Sequence, residues 1–390
     1  MKNFEMNHTL RQLPEQYFAA LVSKVQKLIN EGADIINLGQ GNPDQPTATH
    51  IIESLQNAAD NPTFHRYPPF QGYPFFKEAV ATFYKREYGV TIDPATEVCI
   101  LFGGKAGLVE ISQCLLNPGD VALVPDPGYP DYWSGVALAG GKMVMMPLLE
   151  KNQFLPDYNL LQLDDIEKAK VMFLNYPNNP TGAVAPPTFF DETISFAKQH
   201  HICVVHDFAY GSIGFDGIKP TSFLAREGAK DTGIEIYTLS KTYNMAGWRV
   251  GFAVGNASVI QMLNLYQDHM YVSLFGAVQQ AATTALLGPQ DCVEMLVSLY
   301  EERRNTFIDG LQSIGWEVKA PKGSFFAWLP CPKGMSSTEF ADLLLYEAHI
   351  VVAPGKGFGD YGEGYVRVGL LEDKEKLNEA IERIAKLNLF

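Results

Sequence analysis

The sequence predicts an α/β protein with a largely parallel sheet covered by helices on both faces, followed by a smaller α+β unit. From Glu97 onward, short apolar runs alternate with stretches of helical spacing, the strand–helix rhythm of a parallel sheet. Beyond Gly255 that rhythm gives way to long helical stretches and scattered strands. The chain has 390 residues, more than the ~250–300 at which a single core usually stops growing, so two domains are expected.

Composition narrows the class of function. Apolar residues make up 46% and charged residues 19%, as in a globular protein with large cores. The net charge of −14 opposes a nucleic-acid partner, which would need a basic face. No apolar run is long enough to span a membrane, and the first residues, M-K-N-F-E-M-N-H, lack an apolar signal core. Five widely spaced cysteines with no C-x-x-C suggest a reduced cytoplasmic protein and no metal site.

Taken in order, residues 13–31 have helical spacing, with Phe18, Leu21, Val22, Val25, Leu28 and Ile29 on one face. A strand-like run, 35–38, leads into G-Q-G-N-P-D-Q-P, a loop whose glycines, Gly41 among them, allow close backbone approach. Helices are expected over 47–59 and 73–88. Between them F-H-R-Y-P-P-F-Q-G-Y-P (64–74) is either an ordered surface loop or an arm lining a site across a subunit boundary.

The alternating region begins with a strand over 98–102. Gly103-Gly104-Lys105-Ala106-Gly107 then opens a helix to about residue 116. Such a turn offers free N–H groups and the positive end of a helix dipole, which suits a phosphate. It is neither G-x-G-x-x-G nor a Walker A motif. Strands follow at 121–124, 142–147, 170–174 and 202–205, with a helix at 187–199. Tyr129 follows a strand end, where its ring could cover an aromatic cofactor or simply pack. Asn179, in N-Y-P-N-N-P-T-G, is biased towards an extended conformation by Pro180, so its amide can face a cleft or solvent. Asp207 lies just past a buried strand and needs a partner; a protonated pyridine nitrogen would serve. Tyr210 could reach the phenolic oxygen of the same ring. His206 is expected to be a satisfied core histidine.

The stretch E-I-Y-T-L-S-K-T-Y-N-M-A-G-W-R-V-G-F (235–252) places Lys241 just past a further apolar run, between Ser240 and Thr242. Burial and a second cation, Arg249, would lower the pKa of that lysine and leave a nucleophilic amine able to form Schiff bases. Arg249 and the hydroxyls would suit a phosphate. Aldehyde plus phosphate describes pyridoxal 5′-phosphate. A strand end with a solvated lysine is the alternative from this stretch alone. In the remainder, helices are expected over 257–287, 289–313, 337–347 and 373–388, and strands near 316–319, 325–329, 350–353 and 365–369. Arg367 falls mid-strand in G-Y-V-R-V-G-L, placed either to clamp a carboxylate or to form an internal salt bridge.

N-N-P-T-G (178–182), D-F-A-Y (207–210) and S-K-T-Y-N-M-A-G-W-R-V-G (240–251), in that order and spacing, resemble the fold type I pyridoxal-phosphate-dependent aminotransferases of class I/II. The resemblance covers nearly the whole chain. It implies a homodimer with shared sites, a large domain (46–284) on a mostly parallel seven-stranded sheet, and a small domain (1–45 with 285–390). By position it makes Lys241 the Schiff-base lysine and pairs Asp207 with the ring nitrogen. Tyr210 and Asn179 fall to the phenolic oxygen, and Tyr129 to the ring face. Gly104, Lys105, Ala106, Thr238, Ser240 and Arg249 form the phosphate cup, and Tyr67 reaches the partner's phosphate. Arg367, with Asn179 and Gly41, falls to the substrate. Many relatives carry serine where Gly104 stands.

The phrases N-L-G-Q-G-N-P-D-Q-P, F-G-G-K-A-G-L-V-E and P-D-P-G-Y-P-D-Y-W-S-G-V are most similar to a bacterial methionine-salvage branch of the family. That branch acts on 2-oxo-4-methylthiobutanoate with glutamine or another neutral amino donor. No Lys or Arg lies between residues 260 and 285, where aspartate-type relatives supply a second arginine. A carbon–sulfur β-lyase, an aspartate or aromatic aminotransferase, and a ligand sensor are the competing readings.

Overall fold

The computed structural model describes residues 4–14 and 17–390, with backbone alone for 17–20; the expected inward face of Phe18 lies outside the described residues. Its strands, in chain order, are β1 (Ile36–Asn37), β2 (Val98–Leu101), β3 (Val121–Asp126), β4 (Lys142–Pro147), β5 (Ala169–Leu174) and β6 (Cys203–Asp207). They continue with β7 (Gly233–Thr238), β8 (Gly251–Gly255), β9 (Phe326–Pro330), β10 (Ile350–Val351), β11 (Ala353–Pro354) and β12 (Tyr365–Gly369). Seven of them form one sheet in the order β2-β8-β7-β6-β5-β3-β4. Only β8 runs against its neighbours.

Continuous apolar runs make this sheet possible. Residues 121–126, 233–238 and 251–255 are buried along their whole length, as strands covered on both faces must be. One face packs Phe76, Phe83, Tyr237 and Phe252, and the other Leu108, Ile111, Tyr132 and Phe173. A further core gathers Phe307, Trp316, Phe340, Val366 and Val368 around the antiparallel sheet β11-β12-β9. Ile36 and Leu38 are buried in that core, and β1 pairs in parallel with β10.

Three expectations change. The run 257–287 is two helices, Ala257–Met270 and Gly276–Leu287, joined by an extended turn at Tyr271 that no proline or glycine before Gly276 announces. Residues 316–319 form no strand; Trp316 and Val318 point inward and their neighbours outward, so one-sided packing produced the alternation. Residues 350–353 divide between two sheets, Ile350–Val351 pairing with β1 and Ala353 with Arg367 on β12.

The two main sheets are latched through Asp126, the last residue of β3. Its carboxylate, 2% exposed, accepts the backbone N–H groups of Asp360 (3.1 Å) and Tyr361 (3.0 Å). Gly359 has φ +132°, and a Cβ there would overlap the Asp126 carboxylate, so only glycine allows this approach. Asp126→Ala leaves both amides without their acceptor, at about 0.5–1.5 kcal/mol for each part-buried hydrogen bond lost. The variant is expected to unfold at lower temperature in a thermal melt; an unchanged melting temperature would show that the latch carries no load.

Candidate active site

A cavity of about 620 Å³ opens along the carboxyl ends of the parallel strands and is closed on its far side by β12. This is where ligands gather in an open α/β sheet. Its walls include Gly41, Gly104, Lys105, Tyr129, Asn179, Asp207, Tyr210, Thr238, Ser240, Lys241, Arg249 and Arg367. The structure therefore brings together residues spread over more than three hundred positions. Ala106 and Tyr67 are not in the wall. Tyr67 is 88% exposed and lies beside Phe275 in a separate surface depression.

Lys241 sits one turn beyond β7, in a short helix capped by the Thr238 hydroxyl, which accepts from Ser240 N at 3.2 Å. Its Nζ donates to the Gly41 carbonyl at 2.7 Å. Burial, reinforced by the charges of Arg367 and Arg249, pulls the Lys241 amine down to about 8. Asp207 ends β6 and accepts the Tyr132 hydroxyl at 2.8 Å. Burial pushes this carboxyl up to about 6, against the lowering effect of that hydrogen bond. Asn175, just past β5, donates to the Asp207 carbonyl at 2.7 Å and accepts Asn179 N at 2.7 Å. The Asn179–Pro180 peptide is cis.

The anion-binding features are of two kinds. At one end, Gly103 (φ +81°) precedes the helix Gly104–Leu115, and Arg249 lies across the turn. The positive φ of Gly103 favours glycine, and its missing Cβ leaves room for the guanidinium, which a Cβ would meet at 2.6 Å. Around Gly104 a Cβ would meet only ordinary contacts, so space does not exclude a serine there. The Lys105 ammonium points aside, to Asp131 at 2.8 Å. At the other end, Arg367 donates to Asn179 Oδ1 and to the Gly39 carbonyl, each at 2.9 Å. Its plane is held between the rings of Phe326 (4.1 Å) and Phe358 (4.7 Å). Its Nε is buried with no hydrogen-bond partner among the described residues. Burial lowers the guanidinium to about 10, and it keeps its charge at neutral pH.

Residues 33–384 match the family model for aminotransferase class I and II. The chain belongs to the class I and II aminotransferases. It is 64% identical to the L-glutamine–4-(methylsulfanyl)-2-oxobutanoate aminotransferase of Bacillus subtilis, over 99% of this chain and 97% of the relative. An LL-diaminopimelate aminotransferase of Moorella thermoacetica is 46% identical over 97% of each chain. The solved structure of substrate-bound BacF from Bacillus subtilis superposes with a TM-score of 0.95 at 51% identity, covering 99% of this chain and 98% of that one.

This aminotransferase is a fold type I enzyme that depends on pyridoxal phosphate. The donor set fits that group. A glycine turn, Arg249, Thr238 and Ser240 suit a phosphate, an amine of lowered pKa suits an aldehyde, and a buried carboxylate suits a protonated ring nitrogen. Four residues were not singled out from the sequence: Asn175, Phe326 and Phe358 in the wall, and Tyr132 buried behind it on Asp207. Tyr132, Phe326 and Phe358 look like core aromatics in sequence, and Asn175 is one asparagine among three in a turn.

The lowered Lys241 pKa has a direct readout. The free-amine fraction rises as pH climbs through the folded value, so in the cofactor-free protein a small amine reagent is expected to label Lys241 with a midpoint near pH 8. Arg367→Met removes one repelling charge and should move that midpoint upward. Labelling with the midpoint of an exposed lysine, in both proteins, would contradict the burial described here.

Proposed function

We propose that this aminotransferase exchanges amino groups between neutral or apolar amino acids and 2-oxo acids, with methionine and 2-oxo-4-methylthiobutanoate as a pair and glutamine or another neutral amino acid as donor. The observation that carries this reading is the set of cations in the cavity. Arg249 belongs with the phosphate cup, Lys105 is paired with Asp131, and Lys241 is the reacting amine. Arg367 is then left for the α-carboxylate, and among the described residues no further wall cation remains for a second carboxylate. The 64% identical Bacillus subtilis relative, named for glutamine and the methylsulfanyl oxo acid, supports the same substrates.

Each residue then has a task. When bound, pyridoxal phosphate supplies an electron sink for the carbanion at the substrate Cα. Arg367, with donor capacity to spare, binds the substrate carboxylate and fixes which Cα bond stands towards Lys241. The Lys241 amine takes the Cα proton and returns it one atom away, as base and then acid. Asp207 holds a proton on the ring nitrogen, and Tyr132 keeps its carboxylate aligned. Asn179 and Tyr210 face the phenolic oxygen, and Tyr129 covers the ring. Thr238, Ser240, Arg249 and the backbone N–H groups of Gly104 and Lys105, which are in the wall, hold the phosphate. Gly41 releases Lys241 Nζ when the amine reacts.

We further propose the division into a large domain of 46–284 and a small domain of 1–45 with 285–390. A homodimer in which Tyr67 enters the partner's cavity would account for a tyrosine so exposed in one chain. A cytoplasmic location fits the five free cysteines.

Two measurements test this. Lys241→Ala is expected to retain the cofactor and lose ~10²–10⁴ in turnover, the usual contribution of a positioned proton-transfer group; full activity would overturn the assignment. The loaded protein should be mixed separately with methionine, glutamine, aspartate and cystathionine. Conversion of the cofactor to its amino form by methionine and glutamine, with little from aspartate, supports the reading. Pyruvate release from cystathionine would make the protein a β-lyase.

A further inference from the structure

A buried carboxylate outside the cavity bears on how the cavity is held. Glu235, in the middle of β7, is fully buried and stands opposite His206 of β6. Its oxygens accept four hydrogen bonds: Tyr84 OH (3.0 Å), Ser222 Oγ (2.7 Å), Phe223 N (2.6 Å) and His206 Nδ1 (2.8 Å). On the far side of the same imidazole, Nε2 lies 3.2 Å from the backbone N of Tyr176 and 3.1 Å from its carbonyl oxygen.

We propose that Glu235 is a positioning residue for the reaction: it fixes the proton of His206 on Nδ1, so that Nε2 stays a bare acceptor and anchors the turn that carries Asn175 and Asn179. A carboxylate is acceptor-only, so its contact with Nδ1 requires the hydrogen on that nitrogen. Which ring nitrogen of a histidine is protonated is set by the bond the other one makes. With Nδ1 occupied, the neutral ring offers Nε2 to the Tyr176 amide N–H. Asn175 is the preceding residue and holds both the Asp207 carbonyl and the Asn179 amide; Asn179 in turn accepts from Arg367. A group buried within the sheet thus bears on the substrate clamp at its carboxyl edge.

The carboxylate and the shape of Glu235 can be separated. Glu235→Met keeps the length of the side chain and removes the acceptor for Nδ1–H. The ring can then carry its proton on Nε2 and turn it to the Tyr176 carbonyl, and the Tyr176 N–H loses its acceptor. Ser222→Ala removes one support of Glu235 while keeping the carboxylate, and so the tautomer.

The inference rests on assigning Asn179 and Arg367 to the substrate, but its first test needs neither cofactor nor turnover. Nitrogen-15 NMR of the wild-type, cofactor-free protein, with the His206 signals assigned by their loss in His206→Gln, is expected to show the neutral Nδ1–H form. A proton on Nε2, in either the other tautomer or the imidazolium, would overturn the proposal and leave the aminotransferase reading standing. In the loaded enzyme, Glu235→Met should raise KM for the amino acid about tenfold, the scale of one lost buried hydrogen bond, with kcat per loaded site far less affected. Ser222→Ala should melt earlier with wild-type KM. Equal KM in both variants, with lower melting temperatures alone, would reduce Glu235 to a structural role.

Discussion

The cavity depends on keeping positive charge in place without spending it. Lys241 and Arg367 are held by the carbonyl oxygens of Gly41 and Gly39, and Arg249 by that of Ala246. None of the three pairs with a carboxylate in the wall: Asp131 is taken by Lys105 and Asp207 by Tyr132. Carbonyl dipoles satisfy hydrogen bonds but do not neutralise charge, so the cavity stays short of anions. A phosphate and a carboxylate are the ligands that cure that shortage. Burial lowers the Lys241 pKa most, and the unneutralised charges of Arg367 and Arg249 lower it further.

This arrangement needs both sheets. Arg367 lies on the antiparallel sheet, but the atoms that orient it belong to the loop after β1 and the turn after β5. The reversed strand β8 is equally necessary. It follows Arg249 and runs back beside β7, so Lys241 after one strand and Arg249 before the other meet at the same sheet edge. Their spacing is set by a backbone ladder, which is stiffer than side-chain packing.

Much of this was legible in the sequence because its signals are local. The apolar runs that became β3, β5, β6 and β7 read directly as strands, and Lys241, Asp207 and Asn179 each stand just past one or at its end. What could not be read depends on partners distant in the chain. Tyr132 is marked only by Asp207, seventy-five residues away, and Phe326 and Phe358 only by the guanidinium they enclose. Glu235 could not be distinguished from any other charge in a strand until four donors were seen to converge on it. The extended segment 316–319 shows the opposite failure: an alternating pattern reports one-sided burial, which does not require a pairing strand.

The unspent positive charge sits inside a chain of net charge −14. At a distance the molecule repels the anionic compounds its cavity is built to hold; attraction takes over only within the cavity mouth. Ordinary salt, with a screening length of about 10 Å at 0.1 M, hides the outer repulsion more than the inner attraction. Encounter with a 2-oxo acid should therefore quicken as moderate salt is added, the reverse of an enzyme whose whole surface steers its substrate inward.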